Sequence, residues 1–459
     1  MSRLPGARTY VLAGTALVAA IGTVNAQEVR SGQCLWNFRS RAGSPGAATR
    51  LPSGQYNWFL GRRAEVECKA QQITVLADSV EFYGDARLLY LIGNVDYREP
   101  RLTLRSQRLT YWLNEEHLRA EGNVDATLPS GTKLNGPEVD YYRPAPNIRR
   151  TSRMIAPRRP TILLVETDSL GRRSDPTTVI ANTVVMDNDS LVYASGRVMI
   201  TRTDVVSNSD SAFMDVGREY ARLMKSPQIE GKGEEPFTLT GTLVELYGSR
   251  RMLARVVSSG RARAVSEDVT LTADTLDLRL SDGKMDRVYA WGSSRARAVS
   301  PEYDIVADSL DVRMPGQRVE EVFAVRDAFA QSAPDSTRVR STERDWLRGD
   351  TILARFDTSA APRDTSGRPR IRELVAHGNA RSYYQIATRE GRNGPPGINY
   401  VRGRVITLAF EDQEVSQVTI TDQATGLYLE PSQADTASGV PRDTTSAPGR
   451  PPVSERRVP

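Results

Sequence analysis

A one-residue slip in hydrophobic phase, repeated along the chain, constrains the fold more than any other feature. In residues 269–299 the apolar positions Val269, Leu271 and Ala273 fall on odd numbers, as on one face of a strand. After Asp274 the alternation resumes on even numbers, with Leu276, Leu278 and Leu280. In a strand such a slip turns every later side chain to the opposite face, so the apolar face stays inward only where the backbone bulges or folds. The pattern predicts a strand with a corner at Ala273-Asp274. Ser281-Asp282-Gly283 tolerates positive φ and reads as a tight turn. Val288, Ala290, Gly292, Ser294, Ala296 and Ala298 then return with unbroken period two.

The slip recurs. Ile73, Val75, Ala77 gives way to Val80, Phe82; Leu102, Leu104, Ser106 to Leu109, Tyr111, Leu113; Ile305, Ala307 to Leu310, Val312, Met314; and Val401, Gly403 to Ile406, Leu408, Phe410. The return strands carry a small residue flanked at even spacing by apolar ones, as in Leu89-x-Leu91-x-Gly93-x-Val95 and Leu118-x-Ala120-x-Gly122-x-Val124. Corners at Asn182, Asp210, Thr242, Asp274 and Asp308 are spaced by 28, 32, 32 and 34 residues. Regular spacing of this kind means stacked supersecondary units, none able to bury its apolar face alone. The 459 residues are therefore expected to form one elongated all-β body of about nine units rather than several compact domains.

The expected organisation is a signal peptide over 1–26, an irregular segment over 27–70, and repeats over 71–178 continuing through 179–330. Divergent repeats with loop insertions follow over 331–430, then a disordered tail, 431–459, with almost no large apolar residue. Arg3 and Arg8 precede an uncharged run from Tyr10 to Val24, and Ala26 ends a stretch of small residues. This reads as a secretory signal cut after Ala26, against the alternative of an uncleaved anchor. Without it the net charge falls from +5 to +3, and the arginines lie scattered at solvent-facing strand positions between acids. That balance argues against nucleic acid as a partner. Cys34 and Cys68 either pair in an oxidising compartment or remain two thiols.

No chemistry-bearing motif stands out. The two histidines, His117 and His377, lie in or beside return strands, read as surface residues, and have no cysteine near them to complete a zinc site. No G-x-S-x-G elbow, phosphate-binding loop or dinucleotide fingerprint is present, so neither catalytic residues nor a cofactor is expected. The repeated corner Asp of Asp78, Asp274 and Asp308 suggests a calcium ladder, but Gln107, Asn182, Thr242 and Arg404 interrupt it. The simpler reading is an Asp that bonds its own backbone at a bend. Stacked creased hairpins make two sheets meeting along the crease. Their interior is either an apolar trough open to extended hydrocarbon or a core packed shut.

Gly93-Asn94-Val95 and Gly122-Asn123-Val124, paired with the corner Ala77-Asp78-Ser79-Val80 at a spacing near 30 residues, resemble the OstA/LptA family of envelope proteins. The resemblance is clearest over 73–142. It implies an elongated V-shaped β-jellyroll, exported to the periplasm, that carries lipopolysaccharide or a similar lipid with its acyl chains in the groove. It further implies partners among other Lpt-type envelope proteins through edge-strand pairing, with head-to-tail self-association. By this analogy the lipid-groove residues are Leu89, Leu91, Val95, Leu118 and Val124, with Leu271 and Leu276 in the equivalent inward positions of the unit described first. The chain is longer than a minimal carrier of this type. The competing expectations are a secreted β-solenoid acting on or binding envelope polysaccharide, and a structural surface repeat protein.

Overall fold

A computed structural model describes residues 27–31, 34–43, 46–165, 176–232, 236–250, 252–267, 269–333, 339, 341–357, 370–386, 396–411 and 414–430. The expected signal peptide and the expected tail from 431 onward lie outside these residues. Within them the protein is all-β: 31 strands joined by antiparallel pairing into one hydrogen-bonded system, with three single-turn 3₁₀ segments as the only helical structure.

Pairing registers show how each phase slip is accommodated. Leu88–Glu99 pairs with Leu102–Trp112, but the register jumps between Ile92 and Val95, so that Gly93 and Asn94 together face Gln107. Both bulged residues are left-handed, at φ 77° and 46°. The same tandem occurs at Gly122-Asn123, Gly196-Arg197, Gly260-Arg261 and Gly378-Asn379, and without glycine at Arg62-Arg63, Arg158-Arg159 and Arg326-Asp327. A bulge of two left-handed residues turns the strand while returning its apolar side chains to the same face. The small residue of the return-strand signature is thereby explained.

At the crease the corner residue acts across strands. The Asp78 amide donates to the Gly93 carbonyl at 2.9 Å, and the Asp78 carboxylate accepts from Asn94 Nδ2 at 2.8 Å. Asp274 accepts from the hydroxyls of Ser293 and Ser294 and from the Ser294 amide at 2.6–2.8 Å. The expected bond from the corner Asp to its own backbone is thus replaced by bonds to the facing bulge, which brings donors over the crease, Asn94 of a left-handed pair at Asp78 and the two serines after Gly292 at Asp274.

The crease divides every long strand into two arms. Arm one contains the segments 79–83, 88–92, 108–112 and 117–121, and arm two contains 73–77, 95–99, 102–106 and 124–127. The arms face each other: Trp36 of arm two meets Tyr111 of arm one edge-on at 5.7 Å, and Phe38 meets Phe82 at 5.5 Å. One continuous apolar cluster, from Cys34 to Leu408, fills the space between them.

Residues 27–70, expected to be irregular, instead supply five strands, Gln27–Ser31, Cys34–Ser40, Ala47–Arg50, Tyr56–Leu60 and Ala64–Cys68. Their apolar alternation is too short to register in the sequence. Pairing with Ile73–Ala77 and Ser79–Tyr83 completes it. Cys34 and Cys68 form a disulfide with Cα atoms 5.8 Å apart.

Candidate functional site

Among the described residues the interior between the arms is one extended apolar compartment, and its character changes along the stack. Leu89, Leu91 and Leu118 project inward from arm one and Val95 and Val124 from arm two, all at most 2% exposed. Leu89 and Leu118 flank Tyr111 on adjacent strands, and Leu91 lies opposite Leu109. Leu271 on arm two and Leu276 on arm one occupy the equivalent positions far down the stack, also buried. All seven belong to one cluster, but the first five are separated from the last two by many strands.

Around the first five the compartment is sealed. Its mouth, opposite the crease, is bridged by a buried Arg143 that sequence reasoning missed. From arm one its guanidinium reaches Glu99 of arm two at 2.6 Å, Gln71 at 2.9 Å, Tyr111 Oη at 3.0 Å and Glu116 at 2.5 Å. Tyr97 donates to Glu99 from within the same cluster. Burial pushes the Tyr97 and Tyr111 phenols far above their ordinary range, so both stay protonated donors. Arg101 to Asp189, at 3.2 Å, is a second bridge between the arms. A lone Arg in a Pro- and Arg-rich stretch gives no sequence signal for this role. Only the fold brings it against residues 27 to 72 positions away.

Beyond the clasp the compartment loosens. A cavity of about 120 Å³ lies between the arms, walled by Leu164, Ile200 and Val205 of arm two and Met214, Leu246 and Leu253 of arm one. Its rim holds Arg202 paired with Asp204 at 3.0 Å, and Asp215, which caps the following turn by accepting from the Arg218 amide at 3.1 Å. A dry engineered cavity of about 150 Å³ accepts benzene, so this volume suits a short stretch of hydrocarbon. None of the seven expected groove residues lines it. The partly buried hydrophobic residues packed against the core all lie between Val205 and Ile420, including Met214, Leu280, Met285, Met314, Phe356 and Phe410. The apolar interior is therefore closed over its first part and partly accessible over its second.

Other sequence candidates resolve differently. His117, expected at the surface, is buried between the parallel rings of Trp112 and Tyr142, at 4.6 and 4.2 Å, with Nε2 2.7 Å from Asp140. Stacking along one strand row covers it, which period-two reasoning on a single strand does not reveal. Burial pushes the Asp140 carboxyl up, but the hydrogen bonds from His117 and Arg119 outweigh burial and leave it below its ordinary value. His377 is exposed. Among the described residues no group of three or more His, Cys, Asp or Glu is arranged to hold a metal ion, and no helix is long and apolar enough to cross a membrane.

The arginines that look scattered in sequence are aligned by the registers. Arg255, Arg279, Arg287 and Arg313 stand opposite one another on successive strands of arm one, cross-linked by Asp277 and Asp311 and lying over Tyr247, Tyr289 and Phe323. Set beside known proteins, the chain matches no family model and no curated sequence.

Proposed function

We propose that this protein carries or bridges an amphipathic lipid, its acyl chains held between the two arms and its polar head left in water at the mouth. The observation that supports the reading best is the apolar interior running the length of the stack, clasped shut near its first strands and partly accessible from Val205 onward. The creased hairpins with Gly-Asn bulges fit the V-shaped jellyroll that the OstA/LptA resemblance implies. On that resemblance the lipid is lipopolysaccharide, the compartment the periplasm, and the protein a carrier rather than an enzyme. Edge strands favour the expected pairing with other envelope proteins or a second copy. Gln27–Ser31 and Ala47–Arg50 at one end, and Glu414–Thr421 and Thr425–Leu429 at the other, each pair on one side only among the described residues.

On this reading the lipid contacts are expected at the partly buried Met214, Leu246 and Met314 of the loosened segment rather than at the fully buried Leu89 and Leu91. A photo-crosslinking amino acid at each position, challenged with labelled lipopolysaccharide, is expected to transfer label at the first three and not at outward-facing Thr110. Absence of transfer at all interior sites, with labelling intact in a known lipid carrier, overturns the proposal.

A further inference from the structure

The outer face of arm two at the far end of the stack carries a surface that the interior reading does not use. Strand pairing sets Arg348 opposite Arg381 and Arg381 opposite Arg402, three guanidinium groups in one row across adjacent strands. Like charges directly opposite destabilise a sheet. Arg348 is paired with Asp327 at 2.7 Å, whereas Arg381 and Arg402 are exposed and have no ion-pair partner among the described residues. Two residues along, on the same face, runs a second row, Trp346, Tyr383, Tyr400 and Leu427. Beyond it stand Ile398 and Leu429. Leu427 and Leu429 are 54% and 49% exposed.

We propose that this face docks on the surface of an anionic lipid bilayer. Charge complementarity points to an anion: two unpaired guanidiniums and a third beside them meet no carboxylate in their own row. The rings argue for a bilayer over a glycan or a nucleic acid. Trp346 and Tyr383 lie nearly parallel, 12° apart with centroids at 6.1 Å, and Tyr400 packs against the same indole. Trp346 and Tyr383 stack on each other and Tyr400 meets the indole edge-on, so the row spends on itself aromatic surface that a sugar or base would otherwise stack on. Aromatic rings, exposed leucines and a flanking arginine row are the composition of an interfacial anchor, with amphipathic rings at headgroup depth and cations among the phosphates. Docking there sets the end of the stack where the last strand, Thr425–Leu429, is fully exposed, against the membrane.

The test is co-sedimentation of the full chain with vesicles of one part phosphatidylglycerol to two parts phosphatidylcholine. Each basic residue at such a surface contributes about fivefold, so the triple variant R348Q/R381Q/R402Q is expected to bind on the order of a hundredfold more weakly. The matched Arg→Lys triple is expected to retain binding. L427S/L429S is expected to weaken binding at high salt while leaving the salt dependence intact. A control triple on the opposite arm, R255Q/R279Q/R287Q, removes the same charge and is expected to change little. Equal loss in that control, no binding to the anionic vesicles, or equally tight binding to soluble alginate or to a single-stranded oligonucleotide would each overturn the proposal. None of these readouts depends on lipid inside the trough, so failure here and failure of the crosslinking test are separable.

Discussion

Replacing Arg143 by Met tests the clasp. The guanidinium is 11% exposed and its partner Glu99 only 4%, with four polar contacts converging on the Arg. Removing one partner of a buried ion pair leaves the other charge without compensation, which destabilises by about 3–5 kcal/mol. Adding Glu99→Gln removes that stranded charge and is expected to recover part of the loss, giving a coupling of at least about 1.5 kcal/mol in the double-mutant cycle. Stacked units unfold by neighbour contacts, so the loss is expected to concentrate in the early strands. Urea denaturation followed by circular dichroism gives the energies. Hydrogen exchange locates them, with protection falling first in Leu88–Glu99 and Leu102–Trp112. A matched removal of the exposed Arg348–Asp327 pair is expected to change stability by less than about 1 kcal/mol. If Arg143→Met costs no more than that control, or if the cycle is additive, the clasp carries no structural load.

Two further outcomes follow from the crease and the first strands. Gly93 and Gly283 share φ 77°, but a Cβ at Gly93 collides with the Asp78 carboxylate whereas at Gly283 it meets open space. Gly93→Ala is therefore expected to lose more stability than Gly283→Ala, by about 1–2 kcal/mol beyond the shared backbone strain, and equal thermal shifts would contradict the bulge-and-corner account. Hydrogen bonds from Arg39 and Arg41, each at 2.9 Å, hold the Glu65 carboxyl down to about 2. A depressed native pKa stabilises above the unfolded value near 4.5 and is lost as pH falls through the window between them. Glu65→Gln is thus expected to destabilise by about 1 kcal/mol near neutrality, the half-exposed arginines limiting the effect. That penalty should vanish toward pH 2, and a penalty independent of pH would refute the assignment.

Much of the fold was legible because a strand reports its buried face at every second residue. The slips at Asp78 and Gln107 located creases, and Gly93 and Gly122 marked the bulges opposite them; the slip at Asp274 likewise located one, with Gly292 opposite. The inward positions Leu89, Leu91, Val95, Leu118, Val124, Leu271 and Leu276 are indeed buried in the common core. What they pack against was not legible, and so neither was the difference between the sealed and the loosened parts. The five early strands escaped because four to seven residues give too little alternation to read without a partner. The corner Asp was assigned to its own backbone because the bulge that supplies its donors lies 15 or more residues away.

Local patterning by itself thus determined the all-β class, the recurring hairpins and the creases at Asp78, Asp274 and Asp308, since these follow from alternation and turn chemistry within a single unit. Register and the facing of the two arms decided the rest. They brought Arg143 onto Glu99, opened the cavity between Leu164 and Leu253, and lined up Arg348, Arg381 and Arg402 on one face. Each of these depends on distances between strands remote in the chain, and a one-dimensional pattern carries no term for them.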